Sequence, residues 1–297
     1  MPVKNILVIR DDRFGEFLLN IPALRALKER YPAADLTLAV KADVRELAQC
    51  VEYSDRVIVW DDDFRRSLRK QRFDICVVLD PTKEAHWQAF FAGIPIRVGY
   101  NRKWGFLLTR KIEDNKSLGL KHEVEYNLDL VGLVEAKTND KSLSLGKLPT
   151  HTDPEYAGAI AIHPYTSDPL KQWPIERFME LARRIAREMK VKVVLVGKAP
   201  SSIGMADELV NLVNKTSLVE LAQILRQCRL LVSCDSGPMH LAASVGTRVV
   251  ALFRHDLPGK TARRWGPWGK GHIVIERANL NEITVDEVLK NVLEMKI

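Results

Sequence analysis

Long hydrophobic runs are missing from this chain. Even the longest apolar runs, such as Val191 to Val196 interrupted by Lys192, fall well short of the roughly 18 apolar residues that a membrane-spanning helix needs. No bilayer-crossing segment is expected. The first residues pass through one lysine into the strand-like Ile6 to Ile9 and then into charges, without the apolar stretch and small-residue cleavage site of a signal peptide, which predicts a cytoplasmic location. Cysteine is scarce: Cys50, Cys76, Cys228 and Cys234 form no C-x-x-C pair and sit in or beside apolar sequence, so they read as reduced structural thiols. Cys228, Cys234 and His240 match no zinc spacing, and no metal is expected. The dinucleotide fingerprint G-x-G-x-x-G, the P-loop G-x-x-x-x-G-K-[ST] and the hydrolase elbow G-x-S-x-G are all absent. Aromatic residues make up 7% and are too scattered to suggest base-stacking platforms, so nucleic acid is not an expected partner. There is no internal repeat and no low-complexity tract.

What remains is an ordinary globular composition, 46% hydrophobic and 28% charged, over 297 residues, a length that favours two domains. Forty-five Lys plus Arg against 38 Asp plus Glu leave a net charge of +7, which favours anionic partners. The basic residues are partly grouped, in Arg65, Arg66, Arg69, Lys70 and Arg72, in Arg97, Arg102, Lys103 and Arg110, and in Lys260, Arg263 and Arg264. Each group taken alone reads as a solvated face.

Short β-branched runs alternate with amphipathic stretches, the pattern of βαβ units around a parallel sheet. Strands are expected at Ile6 to Ile9, Leu36 to Val40, Arg56 to Trp60, Ile75 to Leu79 and Ile96 to Gly99. Helices are expected at Leu18 to Tyr31, Val44 to Val51, Glu84 to Ala92 and Glu123 to Val134. Residues 136 to 154 lose periodicity and gain turn formers, which places a linker there and divides the chain into domains 1–148 and 149–297. The alternation restarts with strands at Ala159 to His163, Lys192 to Val196, Leu230 to Ser233 and Arg248 to Phe253. Helices fit Ile175 to Met189, Met205 to Val213, Ser217 to Gln227, Pro238 to Val245 and Val285 to Met295. Two α/β halves of this kind predict a ligand cleft at the carboxyl ends of their strands.

Three segments could carry chemistry. Cys234 to Leu241 joins a strand to a helix. Asp235 or Ser236 can cap that helix, Gly237 permits close backbone approach, Pro238 suits the first turn, and His240 follows; the helix end then offers an anion site or is simply capped. His163 to Pro174 is a second strand-to-helix loop, with hydroxyls at Thr166 and Ser167 and a cation at Lys171 able to meet a diphosphate. In the bland alternative Trp173 packs and Lys171 is solvated. Asp11 to Leu24 follows the first strand, where Glu16 either accepts a proton from an attacking hydroxyl or complements the helix that follows.

Together these segments resemble glycosyltransferase family 9, the ADP-heptose:lipopolysaccharide heptosyltransferases. Gly15-Glu16 followed by Pro22-Ala23-Leu24-Arg25-Ala26-Leu27 is similar to the family's Gly-Asp pair and P-A-L-R-x-L. His163 to Ser167 with Lys171 to Pro174 resembles H-P-G-x-S and K-x-W-P, and Asp235 to Ala243 follows the D-S-G-P-x-H-L-A run without a gap. Lesser echoes are Arg97 to Tyr100, His122 to Glu125 with Asn127-Leu128, and Lys215 to Leu218.

The resemblance implies an α/β, GT-B fold: two Rossmann-like, doubly wound domains whose parallel sheets face a central cleft, with the acceptor on the N-terminal one and the nucleotide sugar on the C-terminal one. It implies an inverting, metal-independent and cofactor-free transfer of heptose from ADP-heptose to the Kdo and heptose inner core of lipopolysaccharide. The acceptor would be an anionic glycolipid of Kdo-lipid A type, met in peripheral contact with the cytoplasmic face of the inner membrane. Carried over residue by residue, Glu16 stands at the proposed base. Thr166, Ser167 and Lys171 stand at the diphosphate contacts, and Asp235, Ser236, Gly237 and His240 in the donor loop. Lys171 would also assist departure of ADP, and Arg13, Arg65, Arg97 and Arg102 would hold the acceptor. Two positions depart from the family: Glu16 replaces the usual Asp, and Gly197 to Ser202 lacks the usual Gly-rich turn and acidic residue. Competing readings are a family member using another nucleotide sugar or surface-glycan acceptor, and a non-catalytic nucleotide-sugar binding protein. An oxidoreductase on the same fold lacks its fingerprint.

Overall fold

The computed structural model describes residues 2–150, 154–199 and 209–295. The chain divides into two compact units, residues 1–147 and 148–297.

In the first unit, β1 (Asn5–Arg10), β2 (Asp35–Val40), β3 (Arg56–Val59), β4 (Ile75–Val78), β5 (Ile96–Tyr100) and β6 (Arg110–Ile112) form one parallel sheet ordered β3-β2-β1-β4-β5-β6. Ile6 to Ile9 are almost fully buried, which is why this strand is continuously apolar: a central parallel strand is covered on both faces. The helices are α1 (Phe14–Leu18), α2 (Ile21–Arg30), α3 (Arg45–Gln49), α4 (Asp62–Ser67), α5 (Lys83–Phe91) and α6 (Glu123–Gly132).

The second unit repeats the plan. Its strands β7 (Ile160–His163), β8 (Val193–Leu195), β9 (Val210–Asn211), β10 (Leu230–Cys234), β11 (Arg248–Arg254) and β12 (Ile273–Arg277) lie parallel in the order β12-β11-β10-β7-β8-β9. Its helices are α7 (Ile175–Met189), α8 (Leu218–Gln227), α9 (Gly237–Ser244), α10 (Ala262–Trp265) and α11 (Val285–Glu294). Counted from its own first strand, each sheet has the Rossmann order, and its chain direction switches between the first and fourth strands. Those switch points are β1/β4 and β7/β10, and the segments after β1, β7 and β10 are the three singled out from sequence.

Several expectations need correction. The single helix Leu18 to Tyr31 is two helices. Pro22 has no N–H and its ring would clash with the carbonyl four residues back, while the Asn20 amide donates to the carbonyls of Glu16 at 2.8 Å and Phe17 at 3.1 Å, closing α1 before α2 begins. The helix expected at Met205 to Val213 does not form over its described part: Val210–Asn211 pairs with β8 as an edge strand, and residues 205–208 lie outside the described residues. The short elements β6, α4 and α10 carry too few residues for a visible period, and β12 is a further strand at the edge of its sheet. The first part of the expected linker belongs to the first unit. Leu143 and Leu145 are buried, the Lys147 amide donates to the Cys50 carbonyl at 2.9 Å, and the Arg25 guanidinium grips Asp140 and the Ser142 carbonyl.

Candidate functional site

In the second unit, the loop after β7 is stapled by its own side chains. Gln172 donates from Nε2 to the Pro164 carbonyl at 2.7 Å and accepts from the Thr166 amide at 3.0 Å. Thr166 Oγ1 accepts from the Asp168 amide at 3.0 Å, so this hydroxyl shapes the turn, and Ser167 is left exposed at its crest. Trp173 is fully buried, donates from Nε1 to the Ile283 carbonyl at 3.0 Å and meets Phe178 edge-on at 4.7 Å. This anchor is the packing role foreseen for it. It fixes the 3-10 turn Pro169–Lys171, from which Lys171 reaches Asp235 in a largely buried ion pair.

The loop after β10 shows where sequence reasoning about the cap failed. Ser236 is the N-cap residue of α9, yet its side chain makes no capping hydrogen bond. Asp235 is engaged by Lys171, and the Ser236 hydroxyl lies 2.8 Å from Ser233 Oγ and 3.1 Å from His163 Nδ1. Proton accounting orders this chain. Ser233 spends its one proton on the Cys234 carbonyl at 2.8 Å, so it accepts from Ser236; Ser236 in turn accepts from His163, whose Nδ1 carries the hydrogen. His163 is neutral in this arrangement, since burial pushes its pKa down to about 4. Gly197, at φ +101°, is required beside it: a Cβ there would sit 2.1 Å from the His163 ring. The Ser236 hydroxyl is therefore turned away from the amino end of α9. His240, on the same helix, is buried.

Two cations missed in the motif reading join this loop. Arg254 donates to the Leu170 carbonyl at 3.2 Å from the end of β11, and Lys260 lies 3.7 Å from Asp168. Lys260 belonged to a basic group read as a solvated face, and only the fold brings it to residue 168.

In the first unit the carboxylates dominate. Asp12 pairs with buried Arg10 at 2.7 Å, and Arg10 also donates to the Leu79 carbonyl at 3.2 Å. Burial pushes the Asp12 carboxyl up to about 6, against the pull of Arg10 and with the push of nearby Glu16. Glu16 sits mostly buried in α1 and is paired with Arg13, whose side chain is 71% exposed. Of the other arginines expected at the acceptor, Arg65 is held between Asp62 and Glu84, and Arg97 donates to the Leu107 carbonyl at 2.7 Å and to the Ile94 carbonyl. Both fasten structure. Arg102 is exposed and paired with Asp114 at 3.0 Å.

Several family echoes also have local structural causes. His122 and Glu125 form a capping box on α6, and Ser217 and Glu220 form one on α8. The four cysteines are free and buried, with Cys76, Cys228 and Cys234 pushed up to about 12 by burial. Among the described residues no three His, Cys, Asp or Glu side chains gather as a metal site.

Two Rossmann-like units in one chain, the second with cations gathered at the loops of its switch point, are the GT-B fold. The chain belongs to glycosyltransferase family 9 (heptosyltransferase), whose model matches residues 62–292. It is 25% identical to lipopolysaccharide heptosyltransferase 2 of Escherichia coli K12, over 86% of this chain and 84% of that one. The family 9 glycosyltransferase structure from Veillonella parvula superposes with a TM-score of 0.82 at 21% identity, covering 99% of this chain and 98% of that one. The E. coli heptosyltransferase WaaC, solved with ADP, gives 0.82 at 18% identity, covering 98% and 99%.

Proposed function

We propose that this family 9 enzyme transfers heptose from ADP-heptose to the inner core of lipopolysaccharide, with inversion and without a metal. The observation that carries the reading is the loop pair of the second unit. Lys171 is paired with Asp235 at the start of α9, and the Ser236 hydroxyl is drawn from that helix end to Ser233 and His163. A cation beside the positive amino end of a helix is what a departing diphosphate needs. Its relatives support the donor: one is named a lipopolysaccharide heptosyltransferase, and one is solved with ADP.

In the reaction, the acceptor hydroxyl oxygen forms a bond to the anomeric carbon while the bond from that carbon to the diphosphate oxygen breaks. The electron pair leaves with ADP. The hydroxyl proton passes to Glu16, which must first exchange its pairing with exposed Arg13. Asp12, held near 6 and anchored on Arg10, keeps a second carboxyl beside the base. Thr166, Ser167, Gly237 and His240 complete the donor side. On the acceptor side, Arg13 and Arg102 present exposed guanidinium groups to an anionic Kdo-lipid A type glycolipid, at the cytoplasmic face of the inner membrane. Arg65 and Arg97 support the elements around them.

Calorimetry with ADP, UDP and GDP, each with and without magnesium, tests the donor. Selective, magnesium-independent ADP binding followed by heptose transfer to a Kdo-lipid A acceptor is the expected result. Selective UDP or GDP binding moves the donor to another sugar nucleotide, and magnesium-dependent transfer overturns the metal-free reading.

A further inference from the structure

Helix α5 is apolar on two sides. Ala85 and Ala89 bury one side, as an amphipathic helix on a sheet requires. On the other, Trp87, Phe90 and Phe91 stand at i, i+3 and i+4 and remain 41%, 42% and 42% exposed. Their rings are in contact, Trp87 with Phe91 at 4.1 Å and Phe90 with Phe91 at 5.3 Å. The turn after β5, with Lys103 at a left-handed φ of +55°, sets Trp104 against Trp87 at 5.3 Å. Phe106 continues the row 6.2 Å from Trp104 and is 70% exposed. Soluble proteins seldom leave a contiguous aromatic patch in water unless something covers it.

The surroundings of the patch say what covers it. The Arg69 guanidinium lies 5.3 Å over Phe91 and that of Arg97 5.3 Å over Phe90, while Lys70 and Lys103 are exposed close by in sequence. The nearby carboxylates of Glu84 and Asp114 are paired, with Arg65 and Arg102. Aromatic rings that are apolar in body, rimmed by cations, match the headgroup layer of an anionic bilayer. A second copy of this chain would bring the same cations face to face, in a protein already at +7.

We propose that the face formed by Trp87, Phe90, Phe91, Trp104 and Phe106 docks on the surface of an anionic lipid bilayer. This deepens the glycolipid-acceptor reading given above and rests on it for its purpose. The test uses vesicles that contain neither donor nor acceptor, so either idea can fail alone.

Sedimentation with vesicles of phosphatidylcholine, with and without phosphatidylglycerol, is the measurement. The intact chain should bind the anionic vesicles, more weakly as salt rises. The double variant Phe91→Ser/Phe106→Ser should lower partitioning about tenfold while keeping its thermal unfolding transition. Arg69→Gln/Lys103→Gln, which leaves the rings in place, should lower it severalfold and flatten the salt dependence. No binding by the intact chain at low salt, or binding by both double variants equal to that of the intact chain, overturns the proposal. A dimer in sedimentation velocity that the Phe91→Ser/Phe106→Ser variant dissolves, without vesicle binding, would assign the face to self-association and also overturn it.

Discussion

The two units share a strand order and use it to opposite electrostatic ends. After β7 and β10, the second unit sets a cation on a carboxylate and diverts a serine hydroxyl from capping α9. After β1, the first unit gathers carboxylates, with Asp12 and Glu16 each held by an arginine. Under the proposed reaction, one plan would serve an anion in one unit and a proton in the other. The difference lies in which side chains the switch point receives, since the parallel scaffold under both is the same.

The strongest way to break this comparison is Glu16→Gln. If the first unit supplies the base, turnover should fall by roughly 100- to 10,000-fold while ADP affinity stays unchanged. Unchanged turnover would remove the proton role from Glu16 and shift it toward Asp12. Lys171→Ala addresses the other unit. It should weaken ADP binding roughly 10- to 100-fold, because a charge-assisted contact is lost and Asp235 is left uncompensated beside the diphosphate. Adding Asp235→Asn should restore part of the affinity, and calorimetry showing no difference between the single and double variants would deny the pairing any part in binding.

Acid should separate the units more gently. His163 is pushed down to about 4 from its ordinary 6.5, so between these values the unfolded chain holds a proton that the folded one refuses. Stability is therefore fully present above pH 6.5 and declines as pH falls toward 4, by up to about 3 kcal/mol. In the first unit, buried His86 is likewise pushed down to about 4, but Asp12 is pushed up to about 6 and acts with the opposite sign. The Asp12 contribution is present below pH 3.8 and lost as pH rises through 6, so acidification regains it. Hydrogen exchange at pH 4.5 and 7, corrected for intrinsic rates, should show a larger acid loosening around β7, β10 and α9 than around β1 and α5. Equal loosening would mean that the two sets of titrations do not differ as argued.

Much of this asymmetry was legible in the sequence, for identifiable reasons. Continuous apolar strands such as Ile6 to Ile9 and the 15-residue α7 announce themselves because their periods extend over several turns or a whole buried strand. The loops holding Thr166, Lys171 and Asp235 were found because they lie between such elements. What stayed hidden depends on long-range pairing. Arg254 and Lys260 reach the loop at residues 168–170 across more than 80 positions, and the edge strand β9 has only two residues. Ser236 looked like a cap because local chemistry favours it, and only the nearness of His163, 73 residues away, draws its hydroxyl elsewhere. Arg25, read within a family motif, turns out to clamp the chain at 140–142.

The smallest expected effect sharpens the comparison through the two buried histidines. His163 has hydroxyl partners that its neutral ring can use, whereas neither ring nitrogen of His86 has a hydrogen-bond partner among the described residues. A buried polar group without a partner costs about 1–3 kcal/mol, and replacing it with an apolar group of similar size removes that cost. His86→Leu should therefore stabilise the protein by roughly 1 kcal/mol at neutral pH, after some loss from imperfect packing against Gly99 and Leu108, which crowd the same place. The gain should grow on acidification, because the variant has no imidazole to protonate there. His163→Leu should do the reverse at neutral pH, since it strands Ser236 and reopens the capping competition at α9. Denaturant unfolding of both variants at pH 7 and pH 5 distinguishes the roles: if His86→Leu destabilises as much as His163→Leu, the His86 ring is satisfied in solution and belongs to the polar network of its unit.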